Sequence, residues 1–182
     1  GMSVIITGGG SGIGKGTAKY LVDKGARVTI CGRRKDKIQA VAEEIGEACF
    51  GVAADITNEA DREMLVNAAL AHGDGLDALI NNAGNMYRGA INELDEQELI
   101  KIFHTNVIAS MMLTGLCVVE LEKRQGAIVF IGSVHTRRAF PGASPYAATK
   151  AAVESLTKVL AAELGPKKIR VGCVVPGAVF TE

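Results

Sequence analysis

The chain has 182 residues, enough for one domain with a substantial buried core. Its 20 basic and 20 acidic side chains cancel, which argues against a nucleic-acid or membrane-surface partner recruited by net charge. Four cysteines, Cys31, Cys49, Cys117 and Cys173, are scattered without a Cys-x-x-Cys pair; this usage fits reduced thiols in a cytoplasmic protein rather than disulfides or zinc.

The first element is a short apolar run at 4–6, the pattern of a strand buried on both faces. Glycines follow at once, and Ala18, Leu21 and Val22 then continue with helical spacing, predicting a helix over 12–24. Strand, glycine turn and helix bring backbone N–H groups and a helix N-terminus against a phosphate. The glycines match Gly-x-x-x-Gly-x-Gly through Gly8, Gly12 and Gly14. They also nearly match a nucleotide-triphosphate loop ending in Gly14 and Lys15, but Gly16 stands where a Ser or Thr would ligate magnesium. A nucleotide hydrolase or kinase is therefore the disfavoured rival.

Further strands are predicted at 27–31, 49–53, 76–80, 127–131 and 170–175. Helices are predicted at 35–45, 59–71, 96–122 (interrupted) and 145–164. The alternation implies an α/β fold, a Rossmann-like doubly wound parallel sheet with helices on both faces and ligands at the carboxyl ends of the strands. No linker or repeat divides residues 1–182, so a single domain is expected. No leading apolar stretch reads as a signal peptide, and no apolar run is expected to span a bilayer. Gly1 before Met2 reads as a remnant of expression. His72, His104 and His135 lack ligand-like spacing, so no metal site is expected. His135 reads as a surface-loop histidine, with the substrate pocket as the less favoured place. Arg137 and Arg138 read as solvated loop arginines, with an acidic substrate or a carrier protein as the less favoured partner.

In the last predicted helix, Tyr146 and Lys150 stand four residues apart and leave the same face. A phenol with a reference pKa of about 10 is a poor acid or base at neutral pH, and a nearby ammonium favours the phenolate. Such a pair suits proton transfer to or from a substrate oxygen.

With these segments in view, the chain resembles the short-chain dehydrogenase/reductase family along essentially its whole length. Thr7 to Gly14 resembles the family's cofactor loop, and Asp55 its acidic residue near the adenine. Asn81-Asn82-Ala83-Gly84 matches the motif after the fourth strand. Asn106 falls at the catalytic-relay asparagine, Ser133 precedes Tyr146 by thirteen residues, and Pro176-Gly177 follows the sixth strand.

The resemblance implies hydride exchange between a nicotinamide cofactor and an alcohol or carbonyl substrate. Tyr146 would be the acid/base, and Lys150 would lower its pKa and bind the nicotinamide ribose. Ser133 would bond the substrate oxygen, and Asn106 would hold a water linking Lys150 to solvent. Cofactor contacts are implied for Gly8, Gly10, Ser11, Gly12, Ile13, Gly14, Arg33, Arg34, Asp55, Ile56, Asn82, Ala83, Gly84, Tyr146, Lys150, Pro176, Gly177, Val179 and Thr181. An isomerase or dehydratase on the same fold is one alternative. A non-catalytic dinucleotide sensor is another, and it would be expected to have lost Ser133, Tyr146 or Lys150.

After the second strand an NAD site would place Asp or Glu, which repels a 2′-phosphate. Here Gly32 is followed by Arg33, Arg34 and Lys35. A guanidinium can grip the phosphate in bidentate fashion, so NADP is expected, with NAD as the alternative. The exposed part of 107–121 and the Ala-rich face of 145–164 would suit a homo-oligomer, dimer or tetramer, as in the family. Relatives continue beyond Pro-Gly into a substrate-covering segment and a seventh strand. The 182 residues are accordingly expected to be a piece of a longer polypeptide lacking its C-terminal part, inactive or poorly soluble alone because the sixth strand would be an open edge.

Overall fold

The computed structural model describes residues 1–179. Six strands, β1 (Ser3–Thr7), β2 (Arg27–Gly32), β3 (Cys49–Ala53), β4 (Ala78–Asn81), β5 (Ala127–Ile131) and β6 (Arg170–Val174), form one sheet in the order β3-β2-β1-β4-β5-β6. Every pairing is parallel. All five residues of β1 are buried, as its unbroken apolar run requires. Successive side chains serve opposite faces. Ile5 packs with Leu65, Leu79, Leu113 and Phe130, whereas Val4 and Ile6 pack with Ala18, Ile38 and Val41. Burying each such aliphatic side chain is worth about 1.5–3 kcal/mol, so both layers hold the sheet centre.

The helices are α1 (Gly12–Asp23), α2 (Lys35–Ile45), α3 (Glu59–Gly73), α4 (Glu96–Phe103), α5 (Ala109–Arg124) and α6 (Ser144–Leu164). Helices α1 and α2 cover one face; α3, α5 and α6 contribute to the core on the other. Asn58 caps α3 by accepting the Asp61 N–H at 3.1 Å, and Asp95 caps α4 by accepting the Glu98 N–H at 2.9 Å. Ser11, before α1, is extended and makes no side-chain cap. Helix α1 follows β1, which neighbours β4 where the strand order reverses, the usual place of a ligand crevice in such a sheet.

The interruption expected in 96–122 is a π-turn. Residues His104–Ile108 form one π-helical turn joining α4 to α5 without a break. Glu96–Arg124 is thus a 29-residue helix with a window of mean hydropathy 1.7, long and apolar enough by those two measures to cross a membrane. This corrects the expectation that no stretch reaches that length; the predicted break hid the continuity. One face, with Asn106, Ser110, Leu113, Thr114, Cys117 and Leu121, is buried, while Ile108, Met111, Met112, Leu116 and Val119 are exposed. Strand β6 lies at the sheet edge, with Val174 and Val175 exposed.

Candidate active site

Thr7 ends β1 and joins it to the segment after β4. Its hydroxyl accepts the Asn82 N–H at 3.0 Å and the Ala83 N–H at 2.9 Å. The Asn82 amide donates back to the carbonyls of Thr7 (2.9 Å) and Gly8 (3.2 Å). The crossing is too tight for side chains. Gly8 has φ +66°, and a Cβ there would sit 2.9 Å from the Ala83 Cα. A Cβ on Gly14 would lie 2.4 Å from the Gly8 carbonyl oxygen and 2.6 Å from the Asn82 amide nitrogen. Neither backbone can yield without breaking these bonds. Gly14→Ala is therefore expected to cost about 1–3 kcal/mol and lower the thermal midpoint by roughly 2–10 °C; calorimetry of the two proteins checks it.

Beyond this crossing opens a cavity of about 790 Å³. Of the expected cofactor contacts, Gly8, Gly10, Ser11, Arg33, Arg34, Asp55, Ile56, Asn82, Ala83 and Gly84 line it, joined by Cys31, Gly32, Lys37, Thr57, Asn85, Lys101, His104 and Thr105. Gly12, Ile13 and Gly14 form the first turn of α1 beside it. Burial tends to raise the Asp55 carboxyl, but hydrogen bonds from the Thr57 hydroxyl and N–H outweigh it. With Arg33 and His104 nearby, they hold Asp55 below its ordinary value. Arg33 and Arg34 are exposed, and neither guanidinium is committed to a hydrogen bond or ion pair among the described residues. Burial pushes the Cys31 thiol up to about 12, so it stays protonated and inert at the cavity wall.

Tyr146 and Lys150 share a face of α6, with the Lys150 Nζ 5.6 Å from the Tyr146 ring centroid. Lys150 is buried, and its ammonium donates to the Ile131 carbonyl at the end of β5 (2.8 Å). Burial lowers its pKa, with the Cys173 thiol opposing. Asn106 is buried in the π-turn, a departure from regular helix often found at functional sites. Its carboxamide accepts the Asn85 N–H (2.8 Å) and donates to the Asn85 carbonyl (3.0 Å) and the Thr149 hydroxyl (3.1 Å). Gly84 joins the two halves: a Cβ there would lie 3.3 Å from the Asn106 oxygen and 3.6 Å from the Lys150 Nζ.

Ser133 follows β5 and opens a 3-10 turn over Val134–Thr136. Its hydroxyl accepts the His135 N–H at 3.2 Å and lies 3.0 Å from the His135 Nδ1. The His135 ring meets the Tyr146 ring edge-on at 5.1 Å between centroids. The surface-loop reading of His135 is therefore corrected: the turn folds it back between Ser133 and Tyr146. The signal was its position two residues after the serine. Arg137 pairs with Glu154 on α6 at 3.1 Å, and Thr136 bonds the same carboxylate. The Pro176 carbonyl accepts the Val134 N–H at 3.0 Å, which brings the segment after β6 to this turn. Gly177 and Val179 are exposed, and Thr181 lies outside the described residues. A second cavity of about 480 Å³, lined by His135, Phe140, Ser144 and Ala147 among others, opens beside this end. Among the described residues no group of three or more His, Cys, Asp or Glu could hold a metal ion.

Residues 2–182 match the family model described as short chain dehydrogenase. The chain is 37% identical over 182 residues to dehydrogenase/reductase SDR family member 4 of Mus musculus, covering 97% of this chain and 65% of that protein. It is 34% identical to L-fucose dehydrogenase of Bos taurus, covering 100% of this chain and 67% of the relative. Among solved structures, 3-ketoacyl-(acyl-carrier-protein) reductase from Brucella melitensis, complexed with NADH, superposes with TM-score 0.96 at 37% identity, covering 100% of this chain and 77% of that one. The first curated relatives are thus matched over about 65% of their own length. A glycine crossing at the switch point, a Tyr-Lys pair and a serine turn in one sheet end, together with these likenesses, assign the chain to the short-chain dehydrogenase/reductase family.

Proposed function

We propose that this protein is an NADP-dependent oxidoreductase interconverting an alcohol and a carbonyl compound, with residues 1–182 as its single dinucleotide-binding catalytic domain. The observation that carries this reading is the continuity from the glycine-walled cavity through Gly84 to Lys150 and Tyr146, with Ser133 joined to Tyr146 through the His135 ring. The cavity suits a dinucleotide, because the turn beside it is built where a Cβ would strike backbone and the N-terminus of α1, without a side-chain cap from Ser11, could take a phosphate. Bound there, the nicotinamide would supply or accept the hydride.

The chain's own residues would manage charge and proton. In the reductive direction the Tyr146 hydroxyl donates its proton to the substrate oxygen, and the Ser133 hydroxyl donates a hydrogen bond to the same oxygen as negative charge develops. Lys150 supplies the positive field beside the Tyr146 ring and a donor for the ribose. Asn106 fixes the loop after β4 against α6, the support a relay through Lys150 needs. Asp55 and Ile56 would meet the adenine side, while Pro176, Gly177 and Val179 would add cofactor contacts; Thr181, the remaining expected contact, lies outside the described residues. Arg33, with Arg34 and Lys37 beside it, would hold a 2′-phosphate.

The exposed apolar side chains of α5 and Val159 of α6 support a homo-oligomer, and the four unpaired cysteines support a reducing, cytoplasmic setting. A small alcohol or carbonyl is the expected partner, with no nucleic acid and no membrane. Incubating the whole protein that contains residues 1–182 with NADP(H) and a panel of alcohols and carbonyls, followed by reduced-nicotinamide absorbance, tests the reading. Turnover of at least one substrate class is expected; a protein that binds the cofactor but turns over none of them would refute it.

A further inference from the structure

His135 is held by two rings and two hydrogen-bonding contacts. Phe140 packs on it at 4.4 Å between centroids and Tyr146 meets it edge-on at 5.1 Å. Its N–H donates to the Ser133 Oγ at 3.2 Å, and its Nδ1 lies 3.0 Å from the same oxygen. Its other nitrogen, Nε2, is shielded from solvent and has no hydrogen-bond partner among the described residues.

A neutral imidazole carries one N–H and one bare nitrogen, and the environment decides which is which. A proton on Nε2 would bury an N–H with no acceptor, the less tolerated kind of orphan. A proton on Nδ1 has the Ser133 oxygen as its acceptor. The choice matters because a serine hydroxyl has one hydrogen and two acceptor sites. If Nδ1 were bare, Ser133 would spend its hydrogen on it and present only a lone pair where the reaction needs a donor. If Nδ1 carries the proton, the two His135 N–H groups fill both acceptor sites and leave the hydroxyl hydrogen free for the substrate.

The geometry points to His135 as a positioning residue that keeps the Ser133 hydroxyl a donor toward the substrate oxygen. The rest of the turn supports this: the Thr136 hydroxyl lies 2.8 Å from the Ser133 carbonyl oxygen and also contacts Glu154 of α6, which fixes the serine backbone while the imidazole fixes its hydroxyl. This assignment rests on the oxidoreductase reading of the site.

The test contrasts two amides of similar polarity. Asn places its amide near the position of Nδ1, and Gln reaches that of Nε2. His135→Asn should keep kcat within about threefold of the parent, whereas His135→Gln and His135→Phe should lose roughly tenfold in kcat with KM little changed, the scale of one ordinary hydrogen bond. In a Ser133→Ala background, itself reduced by ~10²–10³, His135→Phe should cost nothing further, because the group it acts through is gone. Equal activity of His135→Asn and His135→Gln would overturn the assignment, as would the same fold loss for His135→Phe with and without Ser133. Tyr146→Phe, measured alongside, separates the two levels. If it abolishes turnover while the Asn and Gln variants are equal, only the role of His135 falls; if it retains turnover, the reading of the whole site falls with it.

Discussion

Tyr146→Phe is expected to lower turnover by ~10²–10⁴, the range of general acid–base catalysis, while NADPH binding and the thermal midpoint stay near the parent values. The phenyl ring keeps its edge-on contact with His135 at 5.1 Å and its place 5.6 Å from the Lys150 ammonium. The fold and the cavity therefore lose almost nothing, and only the transferable proton is removed. Steady-state kinetics with a fluorescence titration of NADPH separate the two quantities. Retained turnover would take Tyr146 out of its role. A parallel loss of cofactor affinity would mean that the hydroxyl serves binding rather than chemistry.

Replacing Gly32 by Asp together with Arg33→Ala should move preference from NADP towards NAD. A Cβ on Gly32 would meet only the Ile38 Cδ1, at 3.5 Å, an ordinary contact, so the new carboxylate fits at the end of β2. Losing a charge-assisted hydrogen bond is worth about 1.5–3 kcal/mol, and the new carboxylate adds repulsion to a 2′-phosphate. The NADP-to-NAD affinity ratio is expected to fall by about a hundredfold or more, read from the dissociation constants of both cofactors for both proteins. A parent that already binds NAD more tightly than NADP would contradict the reading of Arg33.

Much of the frame was legible because its signals are local. The apolar run before Gly8 follows from burial on both sheet faces, and β5, in which Ile128 and Phe130 are buried and their neighbours half-buried, begins and ends where predicted. The crowded glycines announced a turn suited to a phosphate, and the structure adds that Gly14 sits where a Cβ would strike the Gly8 carbonyl oxygen. Tyr146 and Lys150 were readable as a pair because helix geometry fixes their neighbourhood without help from the rest of the chain.

Asn106 was legible as a position but not as a geometry. Its place in an unbroken helix follows from the π-turn, which keeps α4 and α5 continuous while its side chain bonds Asn85 and Thr149. The same continuity produced a helix of membrane-spanning length that the expected break had concealed.

The sequence by itself determined the strand–helix alternation, the phosphate-suited turn and the Tyr-Lys spacing, since each depends on residues within a few positions of one another. Only the tertiary structure decided that Gly84 lies against both Asn106 and Lys150, that Asn82 ties β1 to β4, and that His135 turns inward onto Ser133 and Tyr146. These contacts join elements far apart along the chain, and parallel pairing at the sheet's switch point brings them together. No periodicity in the sequence encodes such meetings, because they depend on where whole elements pack rather than on the order of neighbouring residues.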